Sequence, residues 1–269
     1  MRRTSLILLA TTAGLAACQT APVADSGFLS GYDGLTSRTD TLRASIRERR
    51  DEALAGGVER LFIAPTVAVP GAAPNISPAD VELVLGEIDR QVCFELSERF
   101  TVIPAPEPGA GTARAAVTAI RPTNPAGSGI SAAANWFVPG PIGVRLPGST
   151  GGLAVEAELL TADGRQAAAL AWARNATAVG TDDPSLSPVG DALQFAEPFG
   201  DQVGDSFAPA DRAVRPIADP DPCARFGTRS QVGGFVAGAL TGLYVPQADG
   251  VRARPAEPEA PEEAGQGPE

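Results

Sequence analysis

Apolar positions along the chain recur with two different periods, and the order in which those periods appear predicts an α+β fold. Arg60–Val69, RLFIAPTVAV, has the β-branched content and length of a buried strand and ends at a proline and glycine turn. Ser77-Pro78-Ala79-Asp80 then reads as a helix start, with a hydroxyl at the N-cap, proline at N1 and a carboxylate in the first turn. From there Val81, Val84, Leu85, Ile88, Val92 and Leu96 fall on one helical stripe that runs to Phe100. FTVIPA and ARAAVTAIRP (Ala113–Pro122) read as a second and a third strand. In Leu153–Thr177, Val155, Ala157 and Leu159 alternate with Glu156 and Glu158, which places the two glutamates on the exposed side of a β-hairpin. Asp163-Gly164 suits a tight primed turn between its strands.

Other segments are less regular. SGFLSGYDGL, Ser26–Leu35, is an apolar and aromatic knot punctuated by glycines, and such a segment docks on a domain. Asp40–Leu54 combines helix formers with apolar residues at Leu42, Ile46 and Leu54; it predicts an exposed helix whose Arg43, Arg47, Arg49 and Arg50 are answered by Glu48, Asp51 and Glu52. Thr123–Gly152, rich in Gly, Pro, Ser and Ala, predicts a long loop. Leu193, Phe195, Phe199 and Val203 mark a helix interrupted by proline.

Ser230–Pro246 is apolar, and Gly234, Gly238 and Gly242 recur at every fourth position, a row that permits close backbone approach. The segment is too short to cross a bilayer. It reads either as a terminal helix or strand packed on its own domain, or as a seam facing another copy or a membrane. Residues 246–269 turn to Pro, Glu and Ala without a period, and a disordered acidic tail is expected there. Residues 26–245 are thus expected to form one α+β domain. Its mixed or antiparallel sheet of about five strands carries the Pro78–Phe100 helix on one face, and a less regular C-terminal segment follows.

Composition narrows the chemistry. The 269 residues are 43% apolar but only 5% aromatic, so the core is built from Ala, Val and Leu. The net charge is −11 and none of the 21 basic residues is a lysine, which argues against nucleic acid as a partner. There is no histidine, so a Ser-His-Asp triad, a Cys-His pair and an imidazole metal ligand are all excluded. Gly109–Arg114, GAGTAR, precedes a strand and lacks the helix N-terminus that holds phosphate. Asp219 and Asp221 lack the glycine turn and distal glutamate of a calcium loop and read as loop acids. No metal, cofactor or catalytic residue is expected.

The amino terminus carries an address. Arg2 and Arg3 precede a short apolar run, Leu6–Leu15, which ends in Leu15-Ala16-Ala17-Cys18 and resembles the lipobox of bacterial lipoproteins. That resemblance implies a signal peptide over residues 1–17, lipidation of Cys18 and a tether over residues 18–25, with two or three acyl chains holding the protein stably to a membrane. The mature chain keeps 19 basic against 32 acidic residues, a charge of −13. Gln19 stands where an inner-membrane lipoprotein often carries Asp, so the periplasmic face of the outer membrane is favoured, with the inner membrane as the alternative. With Cys18 acylated, Cys93 and Cys223 remain, and an oxidising periplasm makes them a disulfide candidate; the alternative is two separate buried thiols.

Asn135–Val144, NWFVPGPIGV, sets Trp136, Phe137 and Val138 inside a Pro/Gly loop, either as an exposed contact patch for a partner or lipid or folded over a sheet edge. Together the lipobox, the SGFLSGYDGL knot, the LFIAPTVAV and AAVTAIRP strands and the VEAELLTADGRQAAALAWAR hairpin resemble the bacterial lipoproteins of the DUF3313 family, over Ser26–Arg174. The activity of that family is uncharacterised, so the resemblance carries over no catalytic residue. The expectation is a non-enzymatic, membrane-anchored module that binds or scaffolds an envelope protein, or its own copies, through the Trp136 loop, the glycine row or both. A carrier of lipid or polysaccharide between sheet and helix is the alternative, and a hydrolase working through two converging carboxylates is a third reading.

Overall fold

The structure, a computed structural model, describes residues 25–41, 43–135, 143–229 and 232–254. Among them the strands are β1 (Thr36–Ser37), β2 (Ala44–Arg50), β3 (Arg60–Ile63), β4 (Val67–Ala68), β5 (Thr101–Ile103), β6 (Gly111–Arg121), β7 (Gly143–Val144), β8 (Gly152–Leu160), β9 (Gln166–Asn175) and β10 (Val179–Gly180). The α-helices are α1 (Glu52–Gly56), α2 (Pro78–Ser97), α3 (Pro125–Asn135), α4 (Gly190–Phe207) and α5 (Val232–Thr241).

The fold is α+β, with a mixed sheet. Its strand order is β1-β2-β9-β8-β6-β3-β5, and β4 pairs with β6 beyond β3, so the sheet has 8 strands rather than about five. β3 runs parallel to β5 and β6, and β4 parallel to β6, while the remaining pairs are antiparallel. A second, two-stranded sheet pairs β7 with β10. The strands missing from the expectation lie mostly at one edge. Residues 44–50 are not an exposed helix but strand β2, in register with β9 from Ala44↔Arg174 to Arg50↔Ala168. Ile46 enters the core opposite Trp172, and Arg47 and Arg49 face the other way, their aliphatic stems standing beside Ala171 and Ala169. Helix is confined to the short α1, which Asp51 caps by accepting from the Ala53 and Leu54 amides.

Helices α2 and α4 pack against each other and against the face of the sheet that carries Val117, Val155, Leu159, Leu170 and Trp172. The start of α2 is as expected: Ser77 Oγ accepts from the Asp80 amide at 3.1 Å and Pro78 occupies the first turn. Its burial is wider than one stripe, because Glu87, Asp89, Arg90 and Gln91 are also covered. What covers them includes the chain after Tyr244. Arg90 donates to the Asp249 carbonyl at 2.9 Å, Arg254 pairs with Asp89 at 3.0 Å and Val251 is buried, so the packed chain runs on to Arg254, past residue 245. Within α4, Gly200 admits α2 closely; a Cβ there would lie 2.9 Å from Gln91 Cβ. Phe195, Phe199, Val203 and Phe207 fill the interface, with Trp172 edge-on to Phe199 at 5.7 Å between centroids.

Two further expectations change. Thr123–Gly152 is not all loop: Asn124 Oδ1 accepts from the Gly127 amide at 3.2 Å and opens α3, an Ala/Ser/Gly helix whose apolar spacing is too sparse to announce it. The β8–β9 connection runs from Thr161 to Arg165, with Gly164 at φ +80° and its amide bonded to the Thr161 carbonyl at 2.9 Å. It is therefore a five-residue loop rather than a two-residue primed turn.

Candidate functional site

On the sheet face opposite the helices, cross-strand register builds two rows: Arg47, Ala171, Glu156 and Ala116 in one, and Arg49, Ala169, Glu158 and Arg114 in the other. The small side chains of β9 leave a trough beside the two glutamates, and the Ser26–Leu35 knot lies in it. Glu156, 1% exposed, accepts from the Ser26 amide (2.9 Å), the Ser26 hydroxyl (2.5 Å) and the Tyr32 hydroxyl (2.7 Å). Glu158 is fully buried and accepts from the Ser30 amide and hydroxyl (both 2.9 Å), Gln166 (2.6 Å) and Arg114 Nε (2.5 Å). Arg114 also stacks over Phe28, 4.7 Å from the ring centre. Burial, and then the carboxylate of Glu156, hold the Tyr32 phenol above its usual range. The glutamates expected to be exposed are thus the anchor of the amino-terminal segment, because the polar face of the hairpin is roofed by chain from far away.

Asp25, where the described chain begins, pairs with Arg47 at 2.5 Å. Cys18 and the signal segment lie outside the described residues. Cys93 and Cys223 form a disulfide, Cα atoms 5.8 Å apart across 130 positions, which ties α2 to the irregular segment after α4. Asp221 pairs with Arg229 at 2.8 Å, which holds its carboxyl below the usual range, and it accepts from the Cys223 amide; it is engaged as a structural loop acid.

Trp136, Phe137 and Val138 also lie outside the described residues, but the feet of their loop are described. Asn135 Oδ1 accepts from the Val144 amide at 2.9 Å, and Ser131 Oγ accepts from the Leu146 amide at 3.0 Å. Beneath them, Asp191 in the first turn of α4 is fully buried and accepts from Thr123 Oγ1 (3.0 Å), the Gly151 amide (2.5 Å) and both terminal nitrogens of the buried Arg145. The segment after the loop is therefore tied to the starts of α3 and α4 at one point.

Around that point stand exposed apolar side chains. Ile130 (59% exposed) projects from α3, Val144 and Val179 (61%) are cross-strand partners, Leu146 follows β7, and Leu186 (57%) lies against Gly129. Sequence reasoning missed this rim because its members come from four separate segments, none with an apolar period.

The glycine row lies in and just after α5. A Cβ on Gly234 would overlap the Asp249 carboxylate, Gly238 faces Leu243 and Asp183 of the same chain, and Gly242 ends the helix at φ +65°. Of the three, Gly234 is the one whose missing side chain a close contact within the chain requires, while Val236 and Leu240 of α5 are exposed. Among the described residues no group of three or more His, Cys, Asp or Glu is placed to hold a metal ion.

The chain matches the family described as "Protein of unknown function (DUF3313)" over residues 24–203. It belongs to the DUF3313 family. No curated protein matches it. Among solved structures, this DUF3313 member is similar to a dodecamer of a point variant of PelC from Paraburkholderia phytofirmans, with 11% identity over 62% of this chain and 99% of that one, at a TM-score of 0.37. A second PelC dodecamer from the same organism gives 11% identity, 61% and 96% coverage and a TM-score of 0.35.

Proposed function

We propose that the chain is a bacterial envelope lipoprotein, held through lipid on Cys18 at the periplasmic face of the outer membrane, and that it acts without catalysis as a binding or scaffolding module. Its contact surface is the Trp136–Val138 loop together with the apolar rim at its feet, and its partner is an envelope protein or a second copy of itself. The rim carries this reading: large apolar side chains from α3, β7, β10 and the segment before α4 gather at one end of the domain, where burial against a partner would remove them from water.

The lipobox-like Leu15–Cys18 supports the anchor, as does the short chain after it. Six residues separate Cys18 from Asp25, a span of at most about 25 Å, so the knot-covered sheet face would stay near the bilayer. Among the described residues no helix is long and apolar enough to cross a membrane. The hollow between sheet and α4 beside Val203 and Phe207 has a volume of about 10 Å³, room for about one water.

Two experiments test the proposal. Replacing Cys18 by Ala should abolish palmitate labelling and release the protein from the membrane fraction; retention there would refute the anchor. A photo-crosslinker at Ile130 or Leu186 should capture one discrete product in cells, and the Trp136→Ser/Phe137→Ser pair should erase it without changing the fold. A product of twice the chain's mass identifies a second copy, and crosslinking at both sites no stronger than at Asp211 refutes the contact surface.

A further inference from the structure

The segments that supply the apolar rim are poor in charge. Between Pro122 and Val155 the only charged residue is Arg145, which is buried and paired with Asp191. Ile130, Val144 and Leu146 all come from this stretch. Val179 and Leu186 come from Asn175–Gly190, where Asp182 pairs with Arg174 and Asp183 lies beside Gly238 of α5. The helix layer is the opposite. The chain carries a net charge of −11, and at the seam of α2 and α4 the charges of Glu98, Asp201 and Asp205 all act on Glu95.

This asymmetry bears on what the rim meets. Two copies that touched through their helix layers would bring carboxylates together, and like charges across an interface oppose association. The rim can meet its own image without that opposition, and a two-fold contact places the same patch on both sides. Selection of an unlike protein draws on complementary charge, and the rim offers none to read. Area points the same way. The five rim side chains leave about 400 to 500 Å² of apolar surface in water, near the upper end of what a monomer exposes. Two such patches face to face would bury about 800 to 1,000 Å² in total, the size of a weak contact. Anchoring copies in one plane raises their effective concentration, so a contact of that size suffices there.

We infer that the rim joins two copies of this chain about a two-fold axis, Ile130, Val144, Val179 and Leu186 of one packing on the same residues of the other. The inference rests on the contact surface proposed above and commits that surface to one partner. The dimer belongs to the membrane: it forms where copies are crowded in the plane and separates on dilution.

The test uses the purified full-length lipoprotein in phosphatidylcholine vesicles, so that no other protein is present. Single variants Ile130→Cys, Val179→Cys and Leu186→Cys are treated with a short bismaleimide; Cys93 and Cys223 are bonded to each other and do not react. At least one variant should form crosslinked dimer about tenfold or more faster than Asp211→Cys, where only random encounters in the plane contribute. The rate should fall as the number of copies per vesicle falls. Val179→Asp added to Leu186→Cys sets a carboxylate on each side of the axis and should bring the rate down to the Asp211→Cys level; because Val179 is exposed, the melting temperature should stay that of the parent. Should the chain not stay with the vesicles, the anchor has failed, and the same comparison in concentrated solution decides the dimer. Rates at all three sites no higher than at Asp211, or undiminished crosslinking with Val179→Asp, would overturn the inference. A product of another mass captured in cells at Ile130 or Leu186 would then leave the contact surface standing with a different partner.

Discussion

The Tyr32 hydroxyl donates to Glu156 across 124 positions of chain, at 2.7 Å, and closes the amino-terminal knot onto the sheet. The same hydroxyl accepts from the Gly27 amide at 2.8 Å and the Leu29 amide at 3.3 Å, so the ring organises the knot as well as docking it. Tyr32→Phe removes all three bonds and should cost about 1 to 2 kcal/mol in urea unfolding. Glu156→Ala, which orphans Ser26 as well, should cost more. Hydrogen exchange gives the sharper check: the amides of Gly27 and Leu29 should lose protection in Tyr32→Phe while those of β8 keep theirs. Unchanged protection would mean that the knot is held by apolar contact alone.

The Asp191–Arg145 pair is the corresponding lock at the loop end. Asp191→Ala would leave the Arg145 guanidinium, 2% exposed, buried without its carboxylate, and should cost about 3 to 5 kcal/mol. Proteolysis between Asn135 and Gly143 should accelerate with it. Asp191→Leu combined with Arg145→Met should recover part of the loss, because an apolar pair leaves no buried charge.

The Cys93–Cys223 disulfide closes a loop of 130 positions, for which chain entropy assigns about 4 to 5 kcal/mol. The Cys93→Ala/Cys223→Ala variant should melt well below the parent protein. Thiol titration of the unreduced, unfolded parent should find neither cysteine free; two free thiols would contradict the bridge.

What was legible in the sequence was whatever announced itself locally. Ser77-Pro78 and the stripe from Val81 to Leu96 located α2, and the alternation of Val155, Ala157 and Leu159 located β8. The cysteines paired as the candidate had it once Cys18 was set aside. What escaped depends on chain far away. Alternation marks Glu156 as lying on the polar face, but whether that face meets water is decided by Ser26 and Tyr32. Strand β2 escaped because its arginines suit a solvated helix equally well, and only pairing with the alanines of β9 makes the extended form the better one. The rim escaped because Ile130, Val179 and Leu186 are each unremarkable until the fold gathers them.

Glu95 makes stability depend on pH. Burial first, then the charges of Asp201 and Glu98, with Asp205 adding and Arg99 opposing, push its carboxyl from 4.5 up to about 7. It lies where α4 comes close, since a Cβ on Gly204 would sit 3.2 Å from Glu95 Cβ. The folded form therefore holds a proton that the unfolded chain releases near pH 4.5. The stabilisation from that proton is whole below pH 4.5 and is lost as the pH rises through about 7. Allowing for partial solvent exposure, the loss between pH 5 and pH 8 should be about 1 to 2 kcal/mol, seen as a falling urea midpoint. Glu95→Gln keeps the shape without the charge, so it should flatten that slope and exceed the parent in stability at pH 8 while matching it near pH 5. If the slope survives the substitution, it belongs to another of the raised carboxyls, with Asp201 the first to replace by Asn.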